Sequence, residues 1–376
     1  MSALQFQDET EDCGMSGLDN VVTAETVLSD VDGEAGRLIL RGHSLDELAG
    51  RWSFEQVIGL LWAGFFDNLP ADVSIGLGQA RAQVFAEVAG LDQALIARTP
   101  VEAMRALTAR LADGDDLDTA LRLVAAPAVF TAAVVRAAAG LSPIAPDAAL
   151  SHAADSLRML KGESASPAQI KALDTYLVTV SDHGFNASTF AARVTASTLA
   201  GLTSAVLSGI SALKGPRHGG APGPVIDMLD AIDQPQNARA WLEAALDRGD
   251  RLMGFGHRIY RVRDPRADAL KSAVRILAAQ SGSNTSMGRL AFAEAVEQAA
   301  LRVLLERKPG RSLQTNVELY TALLLETLDF PPSAFTCVFA MGRVAGWIAH
   351  AREQVMDGRL IRPQSRYVGP VPSLAA

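Results

Sequence analysis

Apolar residues recur at helical spacing along most of the chain. Phe54, Val57 and Leu61 share one face of a segment that begins with a capping box, formed by Ser53 and by Gln56 three residues later. Similar patterns follow, and proline, which ends helices, separates many of them. Helices are predicted for residues 101–112, 116–125, 128–139, 147–160, 167–181, 187–199, 225–232, 238–248, 267–280, 289–306, 314–328 and 332–357.

Alternation typical of strands is confined to the start of the chain. Residues 21–42 alternate weakly, turn at Asp32-Gly33 and end in an apolar trio at residues 38–40. This pattern predicts a small hairpin. The predicted fold class is therefore mainly α, with a small N-terminal β-hairpin.

Composition narrows the class of protein. Of the 376 residues, 49% are hydrophobic and only 6% are aromatic, which favours many helices packed closely through alanine and leucine. The net charge is −8 and the arginines are dispersed, so no nucleic-acid-binding surface is indicated. The two cysteines, Cys13 and Cys337, argue against a disulfide framework and against a cysteine-rich metal site.

The sequence carries no pattern that predicts export or membrane insertion. Its first residues, MSALQFQDETED, are polar and acidic, unlike a signal peptide. The most apolar run, residues 124–135, contains Pro127, stops at Arg136 and is too short to span a bilayer. We therefore expect a soluble, cytoplasmic protein.

Three of the six histidines stand in loop-like settings beside glycine or asparagine, namely His183, His218 and His257. The sequence has no HExxH pattern and no carboxylates at ligand spacing from a histidine, so we expect no metal site. The pair Gly254 and Gly256 lacks the third glycine and the preceding strand of a dinucleotide-binding loop. These histidines are thus candidates for acid–base chemistry.

The most distinctive of the three is His218, which lies in the stretch Gly-Pro-Arg-His-Gly-Gly at 215–220. Glycine permits positive φ and close approach of a ligand, and proline fixes the entry to the turn. The pattern predicts an imidazole on a sharp turn, open to whatever binds there. A loop that merely contains a histidine fits the same residues equally well.

Two charged residues fall among apolar neighbours. Glu318 shares its helix face with Ala322 and Leu325, which favours a raised pKa and a role as general base near neutrality. The alternative is a first-turn glutamate that stabilises the helix dipole. Arg343 lies in an apolar, small-residue helix and, once buried, needs an anionic partner, either a ligand or a structural salt bridge.

Several segments, in this order, resemble the citrate synthase family, and the resemblance extends from about Gly17 to Gly369. The segments are Gly17-Leu18 through Arg41-Gly42, Asp182-His183 with Asn186 to Arg193, Lys214-Gly215-Pro216 with His218-Gly219-Gly220-Ala221, Gly254 to Arg258 with Asp264-Pro265-Arg266, Asn316-Val317, and Arg362-Pro363 with Ser365 and Tyr367.

The resemblance implies a two-domain helical fold. Residues 1–215 and 323–376 would form a large domain, residues 216–322 a small domain, and the active site the cleft between them. It also implies a homodimer. The family condenses acetyl-CoA with oxaloacetate and water to give citrate and CoA, so the expected ligands are these two substrates, with no cofactor beyond the coenzyme A thioester.

Catalytic roles follow from the same resemblance. His218 is expected to donate a hydrogen bond to the thioester oxygen as the enolate forms, with Ser188 orienting its ring. His257 is expected to polarise the oxaloacetate ketone. Glu318 occupies the place of the catalytic base.

Binding roles follow in the same way. The substrate-binding residues are expected to be His183, Asn186, Ser188, Arg266, Arg343 and Arg362. Of these, Arg362 would reach into the site of the partner subunit. Gly254 and Gly256 are expected to contact coenzyme A.

Three positions depart from the family pattern. Glu318 replaces the family's aspartate base, Pro222 replaces an asparagine, and Arg217 stands where an apolar residue is usual. A carboxylate displaced by about 1 Å can cost on the order of 10²-fold in rate. A slower enzyme, or one with backbone compensation, fits these departures. So does a catalytically weak paralogue with a binding or regulatory role. A second alternative is a 2-methylcitrate synthase that uses propionyl-CoA, because the motifs do not separate the two activities.

Overall fold

The structure is a computed structural model that describes residue 18 and residues 21–219, 222–257, 259–281 and 284–370. Sixteen α-helices and one small sheet are present within these ranges. The predicted class, mainly α with a small N-terminal β-hairpin, is confirmed.

The sheet has three antiparallel strands in sequence order: β1 (Ser29–Asp32), β2 (Arg37–Leu40) and β3 (His43–Ser44). Ser29 pairs with Leu40, which sets the register of the first two strands. The turn falls after Asp32, as predicted, but the first strand is shorter than the predicted alternation and a two-residue third strand is added.

The first half of the chain then forms ten helices, with a 3₁₀ turn after the third. They are α1 (Leu45–Leu48), α2 (Phe54–Trp62), α3 (Ser74–Phe85), α4 (Gln93–Ile96), α5 (Pro100–Thr108), α6 (Leu117–Ala138), α7 (His152–Lys161), α8 (Pro167–Val180), α9 (Ala187–Ala196) and α10 (Leu202–Leu213).

Six helices follow the turn that carries His218. They are α11 (Pro222–Ile232), α12 (Ala238–Asp247), α13 (Pro265–Ser281), α14 (Asn284–Arg307), α15 (Val317–Thr327) and α16 (Phe335–Asp357).

Pro127 does not separate two helices, so the prediction of helices at 116–125 and 128–139 was wrong. It lies inside the single helix α6. A proline at this position removes one backbone hydrogen bond. The residues on either side of it, from Leu123 to Val134, are almost all buried, and the apolar surface that they remove from water outweighs that loss.

Other helix boundaries follow their caps. The predicted box is present in α2, where Ser53 Oγ accepts from Gln56 N and Gln56 Oε1 accepts from Ser53 N. Helix α7 begins at His152 and not at 147, because Ser151 is its N-cap. Helix α15 begins at Val317 and not at 314, because residues 314–316 pair with another loop.

Helix α16 is the centre of the core. It packs against α2, α6, α8, α9 and α10, and nearly every residue from Val338 to Ala351 is buried. Small residues at 342 and 346 let neighbouring backbone approach closely. A Cβ on Gly342 would lie 2.9 Å from Leu177 O, and one on Gly346 would lie 2.2 Å from Ser181 O.

Within the described parts of the chain, two helices are long and apolar enough to cross a membrane, Leu117–Ala138 and the segment Pro332–Asp357. The apolar run at residues 124–135 underestimated the length of the first helix, because the helix extends beyond the run at both ends, from Leu117 to Ala138. In their most apolar windows, 78% and 89% of the residues are buried against the rest of the chain. Both helices are mostly buried inside the fold.

The turn of the hairpin contacts a distant loop. Arg261 N donates to Gly33 O at 2.9 Å, and a Cβ on Gly33 would lie 2.3 Å from Ile259 O. A Cβ on Gly36, whose φ is +63°, would lie 2.8 Å from Arg263 O. Both glycines are needed for this contact. The division into domains at 1–215 with 323–376 and at 216–322 stays a prediction.

Two helical glycines allow a test of this close packing. A Cβ on Gly78 of α3 would lie 2.2 Å from the Ala148 carbonyl oxygen, whereas one on Gly59 of α2 would meet nothing within 4 Å. We expect Gly78→Ala to lower the free energy of unfolding by about 1–3 kcal/mol. Gly59→Ala should raise it by about 0.5–1 kcal/mol, because alanine loses less backbone entropy in a helix. Urea denaturation measures both, and stabilisation by Gly78→Ala would contradict the packing described.

Candidate active site

Helix α9 places the first two site residues. Its N-cap is Asn186, whose Oδ1 accepts hydrogen bonds from the backbone N of Ser188 and of Thr189, each at 3.1 Å. Asparagine is among the preferred N-cap residues, because its side-chain oxygen accepts from the free backbone N–H groups of the first turn. The capping amide thus fixes Ser188 in the first turn of the helix. The hydroxyl of Ser188 is fully buried there.

The predicted turn holds His218 against this hydroxyl. His218 N donates to Gly215 O at 2.9 Å, and His218 Nε2 lies 2.7 Å from Ser188 Oγ. The Trp347 indole donates to the same hydroxyl at 3.2 Å. Burial, then the charges of Arg343 and Arg266, lower the pKa of His218 to about 4, so its imidazole is neutral at pH 7.

Of the residues that follow His218 in this turn, Gly220 and Ala221 lie outside the described residues. Gly219 packs on the preceding helix, with a Cβ position 2.7 Å from Leu213 O, so a larger residue would displace the turn. Arg217 is exposed, and α11 begins at Pro222, whose missing N–H costs nothing at a helix start.

A second loop carries His257. Gly254 and Gly256 have φ of +86° and +77°, which non-glycine residues rarely adopt. Phe255 pairs with Thr315 in an antiparallel bridge, and Asn316 Nδ2 donates to Gly256 O at 2.8 Å. The two glycines therefore shape the loop, and the bridge and the Asn316 hydrogen bond join it to the segment before α15. Contact with coenzyme A stays a prediction for both.

The ring of His257 is oriented by backbone. Its Nδ1 lies 3.1 Å from the backbone N of Ile259 and of Tyr260, so Nδ1 accepts and the ring proton lies on Nε2. Arg266 Nη2 is 3.1 Å from Nε2, and because both are then donors they do not bond to each other but leave two N–H groups side by side for one acceptor. Burial, followed by the charge of Arg266, lowers the pKa of His257 to about 4. This histidine is a neutral hydrogen-bond donor at pH 7.

Arg266 is held by Asp264. Its Nε and Nη2 donate to the two carboxylate oxygens at 3.0 and 2.9 Å, and Val317 N donates to Asp264 Oδ2 at 3.2 Å. Both side chains of the pair are buried. One carboxylate thus ties the start of α13 to the start of α15 and fixes the plane of the guanidinium.

Arg343 has no such partner. It is 1% exposed, its Nε donates to Val180 O at 2.6 Å, and its guanidinium lies 4.9 Å from the Phe339 ring centroid. Its Nη2 is buried and takes part in no hydrogen bond with the residues that the structure describes. Burial lowers its pKa to about 10. Among the described residues Arg343 forms no ion pair, so the structural salt bridge considered from sequence is not seen there.

His183 completes the cluster. It is buried, its Nε2 lies 3.1 Å from Tyr260 Oη, and its ring meets the His257 ring edge-on at 5.6 Å. Burial and the charge of Arg266 lower its pKa well below the usual range. Two guanidinium groups therefore stand among three neutral imidazoles.

Glu318 faces this cluster from the first turn of α15. Its backbone N donates to Asn316 Oδ1 at 2.9 Å, so the N-cap fixes its position. Burial raises the pKa of its carboxyl to about 7, against the opposing effects of Arg251 and Arg266. A carboxyl group with this pKa is half ionised near neutrality, as a general base requires.

Arg362 is the one predicted residue that the structure does not bring to the cluster. It is exposed on the extended segment after α16, and within the described ranges no contact with the cluster is present. The described residues also contain no group of three or more His, Cys, Asp or Glu side chains that could hold a metal ion.

The sequence did not reveal four residues that position the site. Asp264 holds Arg266, Tyr260 contacts His183, Trp347 donates to Ser188, and Asn316 caps the helix of Glu318. Asn316 had a signal, because asparagine directly before an apolar helical run is a common N-cap. Trp347 and Tyr260 had none, since their partners are distant in sequence.

Comparison with known proteins agrees with this geometry. The family profile described as citrate synthase, C-terminal domain, matches residues 17–364. A citrate synthase of Haloferax volcanii is 39% identical over 375 residues, which cover 94% of this chain and 95% of that protein. A 2-methylcitrate synthase of Mycobacterium tuberculosis is 35% identical over 367 residues, with 94% and 90% covered.

A solved structure is similar along the whole chain. Citrate synthase from Thermoplasma acidophilum, in a ternary complex with carboxymethyl coenzyme A and oxaloacetate, superposes with a TM-score of 0.82 at 27% identity, and covers 96% of this chain and 97% of its own. The order of the sequence motifs, the helical fold and the match over nearly all residues all indicate the same family. The chain belongs to the citrate synthase family, whose members are acyltransferases.

Proposed function

We propose that this protein condenses acetyl-CoA with oxaloacetate and water to give citrate and CoA. The observation that carries the proposal is Arg343, a buried guanidinium with an unpartnered Nη2 beside neutral histidines. Such a group needs an anion. Oxaloacetate, a dianion with a ketone, would supply carboxylates for Arg343 and Arg266 and a ketone oxygen for the proton on His257 Nε2.

The first step is proton removal from the thioester methyl group. Glu318 takes this proton as general base. The charge that develops on the thioester oxygen needs a positioned donor, because the α-proton of a thioester is a very weak acid. His218 has only Nδ1 left for this purpose, since its Nε2 is held by Ser188.

The tautomer of His218 follows from this requirement. To donate through Nδ1, the neutral ring must accept at Nε2, so the Ser188 hydroxyl must give its proton to the ring. In the structure the Ser188 hydroxyl donates to Asn186 Oδ1 at 2.7 Å, so its proton must turn from this amide oxygen, which also accepts from two backbone N–H groups, to the ring. The Trp347 indole N–H, which can only donate, forms a hydrogen bond to the oxygen of the same hydroxyl.

Bond formation then uses His257. The enolate carbon attacks the ketone carbon, and His257 Nε2 gives its proton to the ketone oxygen as the C–C bond forms. Water hydrolyses the citryl thioester, and CoA leaves. In this mechanism oxaloacetate is held by His183, Asn186 and Arg266. The coenzyme A thioester passes along Gly254 and Gly256.

We further propose a cytoplasmic homodimer that needs no cofactor other than the coenzyme A of its substrate. Arg362 supports the dimer, because it is exposed on an extended segment and away from the cluster of its own chain. In a dimer this segment would carry its charge to the partner subunit's site. The residue ranges 1–215 with 323–376 and 216–322 are the domains that would close over oxaloacetate.

A second candidate is 2-methylcitrate synthesis from propionyl-CoA, because a relative at 35% identity has the name 2-methylcitrate synthase. One methylene changes selectivity by only about 1–3 kcal/mol. Neither the neutral histidines nor the arginines separate the two thioesters. Selectivity is therefore a matter for measurement.

The reaction itself is tested by release of free CoA thiol. We expect release that requires both oxaloacetate and a thioester, with kcat/KM for acetyl-CoA about 10-fold or more above that for propionyl-CoA. A higher kcat/KM with propionyl-CoA would favour 2-methylcitrate synthesis. No release above background with either thioester, at high enzyme concentration, would refute both and leave the weak paralogue.

The pH profile tests Glu318. Because the base must be ionised and its pKa is raised to about 7, kcat/KM should rise with pH through about 7 and level off above it. Glu318→Gln should lower kcat by about 10²–10⁴-fold and abolish this rise. Glu318→Asp keeps the carboxylate and should retain a rising limb. A profile that is unchanged in Glu318→Gln would exclude this residue as the base.

The proton on His218 is tested at Ser188. Ser188→Ala removes the donor to Nε2 and should lower kcat by about 10-fold or more with little change in KM for oxaloacetate. Thr189→Val is the matched control, because the Thr189 hydroxyl is buried and has no hydrogen-bond partner among the described residues. We expect wild-type kcat for this control. Equal kcat in both variants would mean that the hydroxyl does not set the tautomer.

A further inference from the structure

One face of α16 runs along the loop that carries His183. Arg343 Nε binds Val180 O at 2.6 Å. One turn later, the Cβ position of Gly346 lies 2.2 Å from Ser181 O and 3.0 Å from Asp182 Oδ1, so only glycine lets the loop approach. One turn further, His350 Nε2 is hydrogen-bonded to Asp182 Oδ2 at 3.3 Å and lies 3.2 Å from Asp182 Oδ1. The loop is thus attached to three successive turns of the helix.

The proton of His350 has a defined place. Arg193 Nη1 lies 3.1 Å from His350 Nδ1, and a guanidinium can only donate. Nδ1 therefore accepts, and the single proton of a neutral ring lies on Nε2, which faces Asp182. Arg193 is itself fixed, because its Nε donates to Gln354 Oε1 at 2.9 Å and its Nη1 to Glu353.

The same oxygen of Asp182 is also bound from the hairpin, whereas Oδ1 has no hydrogen-bond partner among the described residues. Ser29 Oγ donates to Asp182 Oδ2 at 2.5 Å, and the same hydroxyl accepts from Gly184 N at 3.0 Å. The residues on both sides of His183 are thereby held. Asp182 is fully buried, yet it stays ionised. Burial acts to raise its pKa, but His350 and Arg343 outweigh this effect and lower it.

Asp182 does not bind Arg343. The described contacts of Arg343 include no hydrogen bond or ion pair to a carboxylate, whereas those of Arg266 include a two-pronged pair with Asp264. A carboxylate bonded to Arg343 would compete with a ligand for the same N–H groups. One that is near but held elsewhere stabilises the charge and leaves those groups open.

We propose that Asp182 and His350 are positioning residues of the oxaloacetate site, which fix His183 and keep an anion near Arg343 without occupying it. The proposal rests on the function proposed above. Neither residue touches substrate in this arrangement. Asp182 acts through His183 and Arg343, and His350 acts by holding the Asp182 carboxylate away from Arg343.

The test compares two replacements of His350. A glutamine can reproduce both contacts, since its Oε1 can accept from Arg193 and its Nε2 can donate to Asp182. A leucine makes neither. We expect His350→Leu to raise KM for oxaloacetate by about 10-fold or more, because the freed carboxylate turns to the nearest donor, and to lower kcat by less than about threefold. His350→Gln should stay within about threefold of wild type in both constants.

Two further variants of the full chain make the result decisive. His152→Leu also replaces a fully buried histidine, one whose ring nitrogens have no partner among the described residues, and should leave KM for oxaloacetate unchanged. Asp182→Asn keeps the shape of the side chain but removes its charge, and should weaken oxaloacetate binding, measured by calorimetry without any thioester, by about 10-fold or more. Circular dichroism confirms that each variant is folded.

The outcomes separate the two proposals. A wild-type protein that binds oxaloacetate but releases no CoA would refute the proposed reaction, and calorimetry on the variants would still test this inference. An active wild type with equal KM values in His350→Leu, His350→Gln and His152→Leu would overturn the positioning role. Equal losses in the leucine and glutamine variants would overturn it too. If His350→Leu does not fold, the glutamine and Asp182→Asn results decide.

Discussion

A guanidinium removed from water, with no carboxylate bonded to it, is the constraint to which the rest of the site responds. Taking such an ion out of water costs several kcal/mol in a protein, on the order of a third or more of a domain's whole stability. Arg343 is buried in the core around α16, and this burial lowers the pKa of its guanidinium to about 10. Under the proposed function, a bound dianion would offset this cost.

The other titratable groups are adjusted to this charge. Two guanidinium groups and burial hold His183, His218 and His257 neutral, so that they act as hydrogen-bond donors and not as further cations. A neutral imidazole is the weaker acid, but it can be aimed by whichever contact occupies its second nitrogen. Backbone N–H groups do this for His257, and a buried hydroxyl does it for His218.

Much of the fold and part of the site followed from the sequence, for reasons that lie in local chemistry. The Ser53 capping box is short-range, so its pattern was enough to predict it. Pro127 was misjudged because the burial that carries a helix through it depends on the whole core. The early start predicted for α15 failed in a similar way, since residues 314–316 pair with a loop 60 residues away. Asp264 escaped notice because an acidic residue at a helix start has an ordinary explanation.

The contacts of the hairpin have a consequence for how the protein folds. Ser29 binds Asp182 and Gly33 binds Arg261, so the first strand joins segments more than 150 and more than 220 residues further along the chain. Pairings of such sequence separation form late, after their loop-closure entropy has been offset by other contacts. During synthesis, the first strand must therefore wait for most of the polypeptide before it meets its partners. The region around His183 and Arg343 would be the last to take its shape, and a chain interrupted before residue 261 could form helices but no complete site.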